Sequence, residues 1–223
     1  MNRAILVKSC RNFRTRRHGC WESWFGELVE RGIPCAFIVG GPEHDDDRPG
    51  TTSAPLYIYT TGGDKYQDNS IKLREALRHA LRVPSLERIF VCDDDTFVHP
   101  KRWLAHEPAG DLECRIYRPP KTNEWIQTRA WANGGAGYWM SRRLCELYIS
   151  ECVQRTSAED MLVYGWAQGA NMKIVDRSDL YGDDKYEKGI NPAGLVSADN
   201  TLITCHPVEP EEMRTLYEAT KEC

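Results

Sequence analysis

The chain has 223 residues, 41% hydrophobic and 28% charged, with 29 Lys plus Arg against 33 Asp plus Glu for a net charge of −4. These proportions exclude a disordered chain, a collagen-like chain and a coiled coil, and the length predicts one domain over residues 1–223. The lack of a basic excess argues against binding nucleic acid through its phosphates, and an anionic ligand would need a local cluster or a metal to offset the mean charge.

In chain order, residues 4–9 form an apolar-rich strand. A basic segment, Arg11 to Arg17, leads into a helix rich in aromatic and acidic residues that ends before Gly32. Its Trp21, Trp24 and Phe25 are expected to pack into the core. Residues 34–39 make a second strand, stopped by Gly40-Gly41-Pro42, and His44 to Thr52, with Asp45-Asp46-Asp47, reads as a solvated surface loop. Leu56 to Tyr59 is a third strand. Leu73, Ala76, Leu77, Ala80 and Leu81 then repeat as one apolar helical stripe. Ile89-Phe90-Val91-Cys92 is a buried strand that runs into Asp93-Asp94-Asp95. A second stripe joins Cys145, Tyr148, Ile149, Cys152 and Val153. This alternation predicts an α/β fold with a central, mostly parallel sheet flanked by helices, whose ligand sits beyond the carboxyl ends of the strands.

No apolar run approaches the ~20 residues needed to span a bilayer, and the stretch Met1 to Lys8 is too short for a signal peptide. The expectation is a cytoplasmic protein of bacterial or viral type, with a lumenal fragment of a longer anchored protein as the alternative. The nine cysteines follow no Cys-x-x-Cys spacing, so zinc is not expected. They read mostly as buried thiols, with disulfides as the alternative. Cys145 and Cys152 would lie about 10 Å apart along one helix, too far for a bond.

Three consecutive carboxylates at the end of an apolar strand raise one another's pKa unless a cation compensates them. Hard oxygen ligands suit Mg²⁺ or Mn²⁺. In an extended segment Asp93 and Asp95 face one side and Asp94 the other. A haloacid dehalogenase-type phosphatase also places an aspartate after an apolar strand, but its Asp-x-Asp-x-Thr/Val pattern fails at Phe97.

The ordered set of motifs resembles the fringe and β1,3-glycosyltransferase group (glycosyltransferase family 31). It comprises Val7-Lys8-Ser9 with Phe13, Arg16 and Trp24, then Asp64-Lys65-Tyr66-Gln67-Asp68 with Lys72, then Asp93-Asp94-Asp95. Gly134-Gly135-Ala136-Gly137-Tyr138-Trp139-Met140-Ser141, Glu159-Asp160-Met161 with Gly165, and Thr204-Cys205-His206-Pro207-Val208 with Met213 and Tyr217 complete it. The departures are Asp68 for an asparagine, Asn69 for a leucine, one deleted residue near the start, compactness and the missing anchor.

The resemblance implies a GT-A fold, a UDP-sugar donor, a carbohydrate or glycoconjugate acceptor, Mn²⁺ (or Mg²⁺), and transfer with inversion. It implies metal ligation by Asp95 and His206, with Asp93 beside them. Donor contacts would come from Val7, Lys8, Ser9, Arg16, Asp64, Lys72, Asp93 and Asp94. Gly134, Gly135, Trp139 and Glu159 would lie where donor sugar and acceptor meet. Asp160 would be the general base. Each has a plainer reading: His206 as a structural histidine, Glu159-Asp160 as a helix start that favours the dipole, and the glycine run as a tight turn that packs Tyr138 and Trp139 into the core. A catalytically silent sugar- or nucleotide-binding module is the rival from outside the enzymes.

Overall fold

The computed structural model describes residues 2–42, 56–118, 130–183 and 201–221. The Asp45-Asp46-Asp47 loop lies outside them.

A seven-stranded sheet forms the centre. Its strands are β1 (Arg3–Lys8), β2 (Cys35–Gly40), β3 (Leu56–Thr60), β4 (Arg88–Asp93), β6 (Leu112–Cys114), β9 (Tyr138–Ser141) and β10 (Ile174–Asp176), in the order β10-β6-β9-β4-β1-β2-β3. Only β9 runs against the rest; it pairs antiparallel with β4 and β6 while β1, β2, β3 and β4 pair in parallel. The chain leaves β1 towards β2 and β3, then returns to place β4 on the other side of β1. The order reverses there, which opens a crevice at the carboxyl ends of β1 and β4.

The central strands are apolar on both faces because both faces are covered. Ile5, Val7, Phe37, Phe90 and Cys92 point to one layer, and Ala4, Leu6, Ile38, Ile89 and Val91 to the other. The first layer is filled by α1 (Arg14–Cys20), α2 (Gly26–Glu30), α4 (Pro100–Ala105) and α7 (Pro210–Lys221). The second is filled by α3 (Asn69–Ala80), α5 (Arg142–Glu151) and α6 (Glu159–Gly169). The predicted stripe on α3 is buried at Leu73, Ala76 and Leu77.

Two helix expectations need correction. The aromatic helix after Arg17 is not continuous: a wide turn, Trp21–Phe25, separates α1 from α2, with Ser23 at φ −117°, ψ −120°. The Ser23 hydroxyl donates to the Gly19 and Cys20 carbonyls, a local bond that competes with the helical ladder. The turn lets Trp24 and Phe25 both reach the core. The second stripe also ends early. Here α5 stops at Glu151, Cys152 caps it, and Val153 is 81% exposed.

Two smaller sheets stand at the crevice. One joins β11 (Tyr181–Asp183), β12 (Thr204–His206) and β5 (Phe97–Val98); the other is the hairpin pairing of β7 (Ile116–Tyr117) with β8 (Trp131–Ala132). The eight cysteines among the described residues are free thiols. No helix among the described residues is long and apolar enough to cross a membrane.

Candidate functional site

The site grows out of strand parity. Lys8 ends β1 and Asp93 ends β4, and the two are register partners. Both point towards α6, so the Lys8 ammonium meets Asp93 at 3.0 Å and also bonds Glu159 at the start of α6. Glu159 is buried, and a buried carboxylate is tolerated only when it is paired. Burial by itself would lower Lys8, but Asp93 and Glu159 hold it well above the ordinary lysine value. Burial lifts both Glu159 and Asp160, and Lys8 pulls them back only in part.

One residue on, the opposite face is used. Asp94 accepts from the Ser9 hydroxyl at 2.5 Å and lies 3.6 Å from Arg16. Burial pushes Asp94 up to about 7 against the Ser9 hydrogen bond, with Asp95 and Asp93 adding to the rise. Arg16 also donates to Asp95 at 2.9 Å.

Asp95 brings in the far end of the chain. Its carboxylate stands 3.2 Å from Nε2 of His206, which β12 delivers by pairing antiparallel with β5. The Val208 amide donates to the Asp95 carbonyl at 2.8 Å and fixes that approach. One ligand atom from each of Asp93, Asp95 and His206 lies within 4.8 Å of the others. Two hard carboxylates and one imidazole suit Mn²⁺ or Mg²⁺, so the residues present fit a divalent ion. Behind His206 stands Asp183, its β11 register partner, with Oδ2 3.7 Å from Nδ1. Burial would lower His206, but Asp183 and Asp95 raise it to about 9.

The glycine run forms the turn between β8 and β9. The Gly134 amide donates to Asp160 Oδ2 at 3.1 Å, and the Met161 amide to Oδ1 at 2.8 Å, so Asp160 is held by the turn and by its own helix. A Cβ on Gly135 would land on the His206 imidazole, so only glycine permits this approach. The turn is pinned by the hydroxyls of Thr96, donating to the Gly135 carbonyl, and Thr204, donating to the Ala136 carbonyl, each at 2.6 Å. Asn133 accepts from the Ala136 amide and donates to Asp183.

Two cavities result. One, about 270 Å³, holds Lys8, Ser9, Arg16 and the Asp93–Asp95 triplet with His206. The other, about 220 Å³, adjoins it through Lys8, Asp93 and His206, and adds Gly134, Gly135, Glu159 and Asp160.

Four expected site residues lie elsewhere. Val7 is fully buried in the core. Trp139 does not face the crevice: it is fully buried, its ring stacked on Trp103 at 5.0 Å and 5.2 Å from Phe90. Its β9 position pairs with Phe90, which turns the indole into the core. Asp64 accepts from the amides of Arg11 and Gly40, clipping the chain after β1 to the end of β2. Lys72, 1% exposed, donates to the Ser9 carbonyl at 2.7 Å. These last two shape the crevice from behind.

Nothing in the sequence marks Asp183, Asn133 or Thr96, and Thr204 enters only as part of the closing histidine segment. Their types are common in loops, and only pairing between distant strands gives them partners.

No protein-family model matches the chain, and no curated protein matches it. Solved structures do resemble it. A glycosyltransferase involved in the glycosylation of the major capsid of PBCV-1 is 11% identical, over 97% of this chain and 98% of that chain, with a TM-score of 0.56. The galactosyltransferase LgtC, in complex with donor and acceptor sugar analogs, is 11% identical over 97% and 95%, with a TM-score of 0.57. At such identity the likeness shows the fold: a GT-A α/β sheet with flanking helices, as the strand order implies.

Proposed function

We propose that residues 1–223 form one catalytic domain, a fringe-like, metal-dependent inverting glycosyltransferase. It would move a sugar from a UDP-sugar to a hydroxyl of a carbohydrate or glycoconjugate. The observation that carries this reading is the joined crevice, with a metal-suited donor set on one wall and a raised carboxylate, Asp160, on the other.

Asp93, Asp95 and His206 would hold Mn²⁺ or Mg²⁺, whose positive charge stabilises a departing diphosphate. The protein's own residues arrange everything else. Ser9 and Arg16 anchor Asp94 and Asp95, and so hold the turn after β4 in place. Lys8 links that turn to the start of α6, fixing the distance between donor side and acceptor side. Asp160 takes the proton from the acceptor hydroxyl at a carboxylate oxygen. The freed oxygen lone pair then bonds the anomeric carbon while the carbon–oxygen bond to the diphosphate breaks on the opposite face. That geometry inverts the anomeric centre.

Calorimetry of UDP with and without Mn²⁺ tests the reading. Wild type should bind UDP only with Mn²⁺, and Asp95→Ala should abolish that Mn²⁺-dependent binding. UDP binding of equal strength in both conditions would overturn the metal site. A panel of nucleotide sugars, followed for slow Mn²⁺-dependent hydrolysis, would then identify the donor.

A further inference from the structure

With Trp139 in the core, the crevice needs another aromatic surface if it is to hold a sugar ring. Among the described aromatic residues, Trp24, Trp103 and Trp139 are fully buried. Tyr66 lines both cavities and so marks neither side. Trp131 is different. It is half-buried, it lines the Asp160 cavity, and it is absent from the lining of the donor-side cavity.

The position of Trp131 is held from two directions. It pairs with Tyr117 across the β7–β8 hairpin, and the two rings stand 4.6 Å apart at 49°. The turn that follows it leads directly to Gly134, whose amide holds Asp160. An indole fixed beside a base, with Asn133 and Ser157 among the residues of the same lining, gives an apolar ring in polar company. That combination matches a pyranose, which has an apolar C–H face and a polar rim.

The charge around it narrows the class further. With the proposed ion on Asp93, Asp95 and His206, and with Lys8 bonded to Glu159, Asp160 is the carboxylate left on the Trp131 side of this cavity. It is held by the Gly134 and Met161 amides. An anionic ring stacked on Trp131 would meet that carboxylate directly.

We propose that Trp131 is the acceptor platform, and that the acceptor it receives is an uncharged hexopyranose ring stacked on its indole beside Asp160. This rests on the glycosyltransferase reading above and adds to it the chemical class of the acceptor.

The test uses the full chain with Mn²⁺ and UDP, and methyl glycosides of glucose, galactose and mannose beside their 6-uronates, read by saturation-transfer NMR. At least one neutral glycoside should bind, with its uronate at least tenfold weaker. Trp131→Ala should weaken the neutral glycoside by about tenfold, and Trp131→Phe should restore most of it. Octyl glycosides of the same rings separate the sugar from its carrier, and should bind no more than a few-fold differently from the methyl forms. The proposal is overturned if Trp131→Ala binds as wild type does, if uronates bind as well as neutral rings, if no neutral methyl glycoside binds, or if only octyl forms bind. UDP calorimetry on the same samples keeps the two readings apart. Absent UDP binding sinks the donor reading, whereas intact UDP binding with a failed glycoside arm sinks the Trp131 platform alone.

Discussion

Asp160 is a carboxylate whose environment makes it more basic than an ordinary aspartate. Burial raises it, and Lys8 and the Gly134 and Met161 amides offset only part of that rise. A base must be ionised, so transfer should fall on the acid side at a pH above the ordinary aspartate value of 3.8. Asp160→Asn should keep Mn²⁺-dependent UDP binding yet lose transfer by about 10²–10⁴-fold, measured as initial rates; unchanged transfer would remove Asp160 from the role. His206 makes a second prediction. Its folded pKa is raised to about 9 from 6.5, so its interaction with Asp183 and Asp95 stabilises the metal-free protein fully below 6.5 and is lost as pH rises through 9. A metal ligand must be neutral, so Mn²⁺ should displace that proton, and affinity should rise about tenfold per pH unit up to roughly 9. Calorimetry in buffers of different ionisation enthalpy reads the released proton directly; an enthalpy independent of buffer would refute it. Of these residues, Asp93 to Asp95 were legible because their cost at a buried strand end demands compensation. The partnership of His206 with Asp183 was not, since nothing in Thr-Cys-His-Pro says which strand will lie beside it.

At the scale of elements, the β8–β9 turn couples the two halves of the crevice. Gly134 touches Asp160, Gly135 faces His206, and Thr96 and Thr204 hold the turn from β5 and β12. Gly135→Ala should therefore displace the imidazole while leaving the sheet intact. We expect Mn²⁺ affinity to drop at least tenfold with an unchanged far-UV circular dichroism spectrum, the size of loss seen when a ligand is misoriented. Unchanged affinity would show that the turn does not set the position of His206. The glycine run was legible as a tight turn; its two neighbours were not. Asp64 and Lys72 make the converse case. The family resemblance implied donor contacts for both, but in the structure Asp64 accepts from the Arg11 and Gly40 amides and Lys72 donates to the Ser9 carbonyl, which clips β1, β2 and α3 together.

On the proposed reading the whole molecule holds an anionic nucleotide in a crevice with surplus carboxylates, so ion and nucleotide should stabilise it together. At UDP concentrations of about 100 times Kd with saturating Mn²⁺, linkage adds about 2.7 kcal/mol. For a chain of this size that is a rise in Tm of roughly 5–11 °C, read by calorimetric scanning. UDP without Mn²⁺ should give little or none, and an equal rise without the ion would contradict the metal-suited wall. The sequence by itself determined the α/β alternation, the doubly buried strands and the acidic strand end, because burial on two faces writes continuous apolar runs and compensation of charge writes a motif. Tertiary structure alone decided which Trp faces the crevice, how His206 reaches Asp95 and why Gly135 must be glycine. Those outcomes depend on strand parity and on pairings such as β5 with β12, between segments roughly a hundred residues apart, and no local pattern encodes which distant partner a strand will find.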